Sequence, residues 1–242
     1  MINENKQIVE KYVVQDHLES FITCPYQAYY YQLLHENERM WRQDIQFVIN
    51  KIVHTYYQLP LGKQTKLTAL KLIDHFWHHV RFDLFQSREE YYMVLVKITD
   101  HLLQFLSTNS KQPPLFLYEK LYTNVKSIES QLSITIQLAE WSIKSFSIKK
   151  FLLEADLHLM ERYNHLVSVF FDEALGILPE KIEIISLIDG KATILYPKEQ
   201  DISKGVQYLN YLKRLVDESD HGCFECPLTP QCKDFYKNNN FH

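Results

Sequence analysis

The pattern of apolar and polar residues divides the chain into a helical first part and a mixed second part. In roughly the first 110 residues apolar side chains recur every three or four positions, as on amphipathic helices. The predicted helices comprise HLESFITCPYQAYYYQLL after Asp16, residues 38–58, LTALKLIDHFWHHVRF, and REEYYMVLVKITDHLLQFL. Pro25 lies inside the first of these helices, so we expect a break in it at Cys24.

Strand patterns begin after residues 111–114, which include two consecutive prolines. The predicted strands lie in LFLYEKLYTNV, QLSITIQLAEW, and SFSIKKFLLEADL. In the second of these, Leu132, Ile134, Ile136 and Leu138 alternate with other residues, so we expect these four side chains to share one buried face.

A helix is predicted next, over residues 160–175, with Gly176 as its stop signal. The two strands that follow, KIEIISLI and KATILYP, are joined by Asp189 and Gly190, a dipeptide that strongly favours a hairpin turn. A last amphipathic helix is predicted in ISKGVQYLNYLKRLVDE.

This order of elements predicts an α/β protein with a mixed central sheet flanked by helices and a helical N-terminal half. We expect one domain over 1–242, with a mostly helical part (1–110), a sheet-containing part (111–220), and a cysteine loop and tail (221–242). The 242 residues are 46% hydrophobic and include five glycines, which gives ample material for a core and little for flexible linkers.

Composition narrows the classes of function. No apolar run approaches the roughly 18 residues that cross a membrane, and the first residues are too polar for a secretory signal. We therefore expect a cytoplasmic protein that does not associate with a membrane. No glycine-rich phosphate loop is present, which argues against an ATPase. The net charge of −4 means that any DNA contact needs a local basic patch, for which Lys144, Lys149 and Lys150 are the candidates. Lysines on a strand can also serve simply to block edge pairing.

The four cysteines form the clearest chemical motif. Cys223, Cys226 and Cys232 lie in the run GCFECPLTPQC, while Cys24 lies almost the whole chain away. Four thiolates suit either Zn²⁺ or a [4Fe–4S] cluster, and the prolines and glycine of the run favour a ligand loop. Cysteines that are merely small buried side chains are the simpler alternative.

Both cysteine-bearing runs resemble a known family. The run LESFITCPYQAYYYQLL is similar to the N-terminal signature of RecB-like and AddB-like nucleases that carry an iron–sulfur cluster, and CFECPLTPQC resembles their C-terminal cysteine trio. This branch of the PD-(D/E)XK nuclease superfamily implies a RecB-like nuclease fold and a [4Fe–4S] cluster held by Cys24, Cys223, Cys226 and Cys232. It also implies DNA as a partner, in repair, recombination or foreign-DNA processing, together with a helicase or another repair or recombination protein.

The family's nuclease site needs an acid on one strand, an acid-x-Lys triplet on the next, and often a histidine on an early helix; the acids hold Mg²⁺ or Mn²⁺. His54 ends the run NKIVH, which resembles the family's Gly-x-x-x-His element with Asn50 in place of glycine. Glu140 stands where the first acid is usual. On the next strand Lys149 stands near the place of the second acid, and Phe151 near that of the lysine.

The resemblance therefore implies a site that lacks its acid-x-Lys triplet. On the following helix, His165 also replaces the family's usual glutamine. A lysine where a divalent cation should bind opposes that binding, so we expect a degenerate nuclease site and a DNA-binding or scaffolding role.

Several alternatives stay open. The first is an active metal-dependent nuclease that uses His54, Glu140 and a displaced acid, Glu154 or Asp156. The second is a zinc-stapled structural protein. His54 can also be an ordinary core histidine, and Glu140 an ordinary edge charge.

Overall fold

The computed structural model describes residues 41–106 and 112–217. The helices are α1 (Trp41–Gln58), α2 (Lys66–Trp77), α3 (Arg88–Leu106), α4 (Leu157–Leu175) and α5 (Glu199–Asp217). The strands are β1 (Phe116–Val125), β2 (Ser130–Trp141), β3 (Phe146–Leu152), β4 (Lys181–Ser186) and β5 (Lys191–Leu195). This order confirms the predicted α/β fold. The predicted first helix and the cysteine loop lie outside the described residues.

The five strands form one mixed sheet in the order β1-β2-β3-β4-β5. The first three strands are an antiparallel meander, β3 and β4 run parallel, and β4 and β5 form a hairpin. A parallel pair needs a crossover connection, and α4 provides it. The hairpin turns at Gly190, whose φ of +66° suits glycine, as the sequence predicts.

Helices cover both faces of this sheet. Helices α1, α2 and α3 pack on one face, called here the front face, together with Leu138, Phe151 and Ile185 of the strands. Helices α4 and α5 cover the opposite face, called the back face, over a core that includes Ile134 and Ile148. The helical first part and the sheet therefore share a hydrophobic core on the front face, and its burial stabilises the fold.

The crossover helix begins earlier than the sequence pattern predicts. The side chain of Asp156 accepts a hydrogen bond of 2.8 Å from the backbone N–H of Leu159, which makes Asp156 the N-cap and Leu157 the first helical residue. At the other end Gly176 adopts a left-handed φ of +67°, and its N–H donates to the carbonyl of Asp172 at 2.9 Å. The predicted glycine stop is confirmed, and the predicted start at residue 160 is wrong by three residues.

The alternation predicted for β2 holds for only part of the strand. Leu132, Ile134 and Ile136 belong to the back-face core, but Leu138 belongs to the front-face core. Pairing with β1 stays in register across this point, so no residue is inserted. The switch of faces coincides instead with Tyr118 of β1, whose φ of +52° is rare for a residue with a side chain.

None of the helices in the described ranges is both long enough and apolar enough to span a membrane.

We predict that Gly205→Ala destabilises the fold. A Cβ at Gly205 of α5 would lie 2.5 Å from the backbone oxygen of His165 on α4, so the two helices would have to separate. We expect the free energy of unfolding to fall by about 1–3 kcal/mol, the usual cost of overpacking. Urea unfolding followed by circular dichroism measures it. The matched control is Gly62→Ala, because no atom lies within 4 Å of the added Cβ there. Equal stability of both variants would contradict the close helix contact.

Candidate functional site

The candidate site lies on the front face, where β2 and β3 part. Their backbone pairing runs only from Leu138 opposite Lys149 to Trp141 opposite Phe146. Strand β3 continues beside β4 as far as Leu152, so its other edge loses β2 as a partner from residue 150 onward. Buried backbone groups need hydrogen bonds, and on this edge side chains supply them.

Two glutamine side chains take the place of the missing strand. Gln137 of β2 accepts from the N–H of Phe151 at 2.6 Å and donates to the carbonyl of Phe151 at 3.2 Å. Gln46 of α1 accepts from the N–H of Leu153 at 2.8 Å and donates to the same Phe151 carbonyl at 3.1 Å. A glutamine amide carries both a donor and an acceptor, so it can complete a backbone edge as a strand would.

Asn50 of α1 joins the two glutamines. Its Oδ1 atom accepts from Gln46 at 2.9 Å, from Gln137 at 3.0 Å and from the hydroxyl of Tyr118 at 3.3 Å. Gln46, Asn50 and Gln137 are called here the amide bridge. It is electrically neutral, and it links α1, β2 and β3 at the point where the strands separate.

Charged residues lie next to the amide bridge on the same face, toward the start of β3. The Nζ atom of Lys149 is 2.7 Å from Oε2 of Glu140, and both side chains are about one-seventh exposed (16% and 14%). Glu183 of β4 stands directly opposite Lys149 in the parallel register, and Lys181 lies 3.9 Å from Glu183. The low exposure reduces solvent screening, so the ion pair between Glu140 and Lys149 is stronger than a surface pair.

Tyr57, in the last turn of α1, packs over these charges. Its side chain is buried, and neither its hydroxyl nor Oε1 of Glu140 has a hydrogen-bond partner among the described residues. Burial, and next the negative charge of Glu140, raise the pKa of Tyr57 far above its ordinary value. The phenol is therefore neutral and retains its proton as a hydrogen-bond donor.

His54 lies one turn before the end of α1 and is half-buried. Its ring packs edge-on against Tyr118, with centroids 5.2 Å apart, and its Nε2 atom is 3.0 Å from the amide nitrogen of Gln58. Burial, and next the charge of Lys51, lower the pKa of His54 below its ordinary value, so the imidazole is neutral near pH 7.

The two displaced acids serve other purposes in the structure. Glu154 is paired with Arg42 at 3.4 Å, and Asp156 caps α4. Ser147 lies opposite Glu140, and Glu154 follows Ser147 by seven residues, or about 23 Å along an extended chain. The structure does not bring these acids to Glu140. Among the described residues, no three histidine, cysteine or acidic side chains lie close enough together to hold a metal ion.

The three candidate lysines do not share a surface, so the prediction of one basic patch is wrong. Lys144 is exposed in the turn between β2 and β3. Lys149 faces the front and pairs with Glu140, whereas Lys150 faces the back, is 5% exposed, and lies 4.9 Å from the centre of the Tyr163 ring. The physical reason is that successive side chains of a strand point to opposite faces.

The remaining predicted site residues divide into one that the structure places and four that it does not. His165 lies on α4 at the back face, 3.5 Å from Asp201 of α5, and takes no part in the front-face site. Burial lowers the pKa of His165, while Asp201 acts in the opposite direction. The predicted cluster ligands Cys24, Cys223, Cys226 and Cys232 lie outside the described residues.

Sequence reasoning missed the amide bridge and Tyr57. One signal was available for Gln137, since a glutamine between apolar residues in the run ITIQLAE is unusual on a buried strand. Gln46 and Asn50 had no such signal, because polar residues on an amphipathic helix are usually solvent-facing.

We predict that Gln137→Leu is strongly destabilising. Leucine fits the space but leaves the buried N–H of Phe151 without its acceptor, at a cost of about 1–3 kcal/mol. Thermal or urea unfolding measures the change. Gln131→Leu is the matched control, because Gln131 lies on the same strand and is exposed. A similar loss for both variants would mean that the amide bridge adds no stability of its own.

Comparisons with protein-family models, with curated proteins and with solved structures found no match. The resemblance to RecB-like nucleases therefore depends on the quoted motifs and on the order of elements.

Proposed function

We propose that the chain is an iron–sulfur protein of the RecB-like nuclease fold that binds DNA and whose nuclease site is degenerate. Its setting is repair, recombination or foreign-DNA processing, where it acts as a DNA-binding or scaffolding subunit beside a helicase or another repair or recombination protein. The DNA role and the partner rest on the sequence motifs.

The contact between Lys149 and Glu140 carries the proposal that the site is inactive. Glu140 is the acid that the motif comparison assigns to the metal. Its Oε2 atom is already occupied by the ammonium group of Lys149, 2.7 Å away, in a place with little solvent. A divalent cation bound there would face that ammonium at close range, and like charges repel more strongly where water is scarce.

The amide bridge supports the same conclusion. Mg²⁺ selects carboxylate and water oxygens in near-octahedral geometry. Gln46, Asn50 and Gln137 contribute no negative charge, and the oxygen of Asn50 already accepts three hydrogen bonds. A cation would have to displace those donors. The amide bridge therefore stabilises the fold without supplying the charged ligands that Mg²⁺ needs.

The order of the elements supports the fold assignment. The family places its histidine on an early helix, its acids on two successive strands, and its last site element on the helix that follows. Helix α1, strands β2 and β3, and helix α4 stand in this order, and α1 and α4 pack on opposite faces of the two strands.

The four cysteines fit a [4Fe–4S] cluster by their chemistry, since four thiolates are its usual ligands. Cys24 and the trio Cys223, Cys226 and Cys232 would then join the two ends of the chain. Zinc is the alternative metal for the same four thiolates.

We predict that the full-length protein binds DNA without cutting it. Protein purified without oxygen is incubated with single- and double-stranded DNA and Mg²⁺ or Mn²⁺, and products are separated on a denaturing gel. We expect intact DNA, because Lys149 excludes the cation from Glu140. Gel-shift titrations should show binding that weakens as salt rises, as phosphate contacts require.

Glu140→Gln is the control for this experiment. Metal-dependent cleavage that disappears in Glu140→Gln would show an active nuclease and overturn the proposed inactivity. Absence of binding to either form of DNA would overturn the DNA role. Cleavage would not contradict DNA binding, and absence of binding would not show that the nuclease site is active.

We predict that Cys24→Ala and Cys223→Ala lose the same metal and a similar amount of stability. Metal binding in a four-thiolate site contributes directly to folding, and a link between distant ends restricts the unfolded chain. Iron and zinc analysis, the visible absorption spectrum and thermal melting measure the effect. Ser20→Ala is the control near Cys24. Unchanged metal content and melting in Cys24→Ala would contradict a shared site, and zinc without iron would select the zinc alternative.

A further inference from the structure

An apolar patch lies at the end of the sheet where β2 turns into β3. Trp141 and Ile143 are 61% and 98% exposed, and Leu175 and Ile177 are 54% and 49% exposed. These four residues are called here the end patch. Trp141 ends β2 and Ile143 lies in the turn to β3, while Leu175 ends α4 and Ile177 lies in the connection to β4.

Hydrogen bonds hold the two segments together. The hydroxyl of Ser142 and the backbone N–H of Lys144 both donate to Oε2 of Glu180. The hydroxyl of Ser145 donates to the carbonyl of Leu178 at 3.0 Å, and the N–H of Glu180 donates to the carbonyl of Phe146 at 2.7 Å. The end patch is therefore already formed in the free chain, so binding there costs little ordering entropy.

Opposite charges stand on the two halves of the patch. Lys144 is exposed beside Ile143, and Asp172 is exposed in the last turn of α4, three residues before Leu175. Within the described ranges neither side chain forms an ion pair. The carboxylate of Glu180 lies near Lys144, and the hydrogen bonds from Ser142 and from the N–H of Lys144, together with the charge of Lys144, lower the pKa of that carboxyl. The turn thus presents apolar groups with an exposed ammonium group, and the helix end presents apolar groups with an exposed carboxylate.

We propose that the end patch binds a second copy of this chain, across a two-fold axis that places the turn of each copy on the helix end of the other. A two-fold interface must be self-complementary, since each contact occurs twice. The patch meets this condition: Trp141 and Ile143 would cover Leu175 and Ile177, and Lys144 would face Asp172, in both directions. Trp141 provides the large aromatic group that central interface positions favour.

Sedimentation velocity over a range of concentrations tests the proposal on the full-length protein. We expect a monomer–dimer equilibrium, and Ile143→Asp should weaken dimerisation by about 30-fold or more, as for a central interface residue. Leu67→Asp is the matched control, because Leu67 is 63% exposed on α2, away from the patch. Circular dichroism confirms that both variants fold. A wild type that stays monomeric, or a dimer that Ile143→Asp leaves unchanged, would overturn the proposal.

A mixing experiment tests the orientation of the two copies. Lys144→Asp and Asp172→Lys should each weaken self-association, because each contact then pairs like charges. When the two variants are mixed in equal amounts, every contact between unlike copies pairs opposite charges, so we expect dimers to return. A mixture no better associated than either variant alone would rule out the paired arrangement. The result does not depend on DNA binding.

Discussion

The edge of β3 that has no neighbouring strand is the constraint on which the structure of the front face depends. Beyond Lys149 this strand keeps β4 on one side but loses β2 on the other, and its backbone groups at Phe151 and Leu153 are still shielded from bulk water. Gln46 and Gln137 satisfy those groups, and Asn50 fixes both amides. Because two of these residues belong to α1, the helix is held at one position along the sheet. That position brings Tyr57 over Glu140 and His54 against Tyr118.

Local signals made most of the fold predictable. The order of helices and strands followed from the apolar periodicity, and the glycine at 176 and the dipeptide at 189–190 marked a helix end and a hairpin. These features depend on residues within a few positions of each other. The switch of faces in β2 was not predictable in this way, because it coincides with an unusual backbone conformation at Tyr118 on the neighbouring strand. Gln137, beside the switch, likewise acquires its role from Phe151, 14 residues later, and from Asn50, 87 residues earlier.

The candidate site was predictable in part for the same reason. The motif comparison selected Glu140 and Lys149 as neighbours of a metal site. The register of β2 and β3 brings the two side chains close enough to form an ion pair. The opposite orientation of Lys149 and Lys150 follows from the geometry of a strand, so the error of grouping them was avoidable. The roles of Gln46 and Asn50 were not, because partners in the three-dimensional structure give these residues their function.

The hydrogen bond between Gln46 and Leu153 also has a kinetic consequence. It joins residues 107 positions apart, so the last part of β3 cannot be completed until α1 has docked. Contacts between such distant residues require a long loop to close first, and proteins that depend on them fold slowly. Hydrogen exchange at the amide of Leu153, which donates to Gln46, should therefore report the undocking of α1. Amides bonded strand to strand, such as those between β3 and β4, report the opening of the sheet itself.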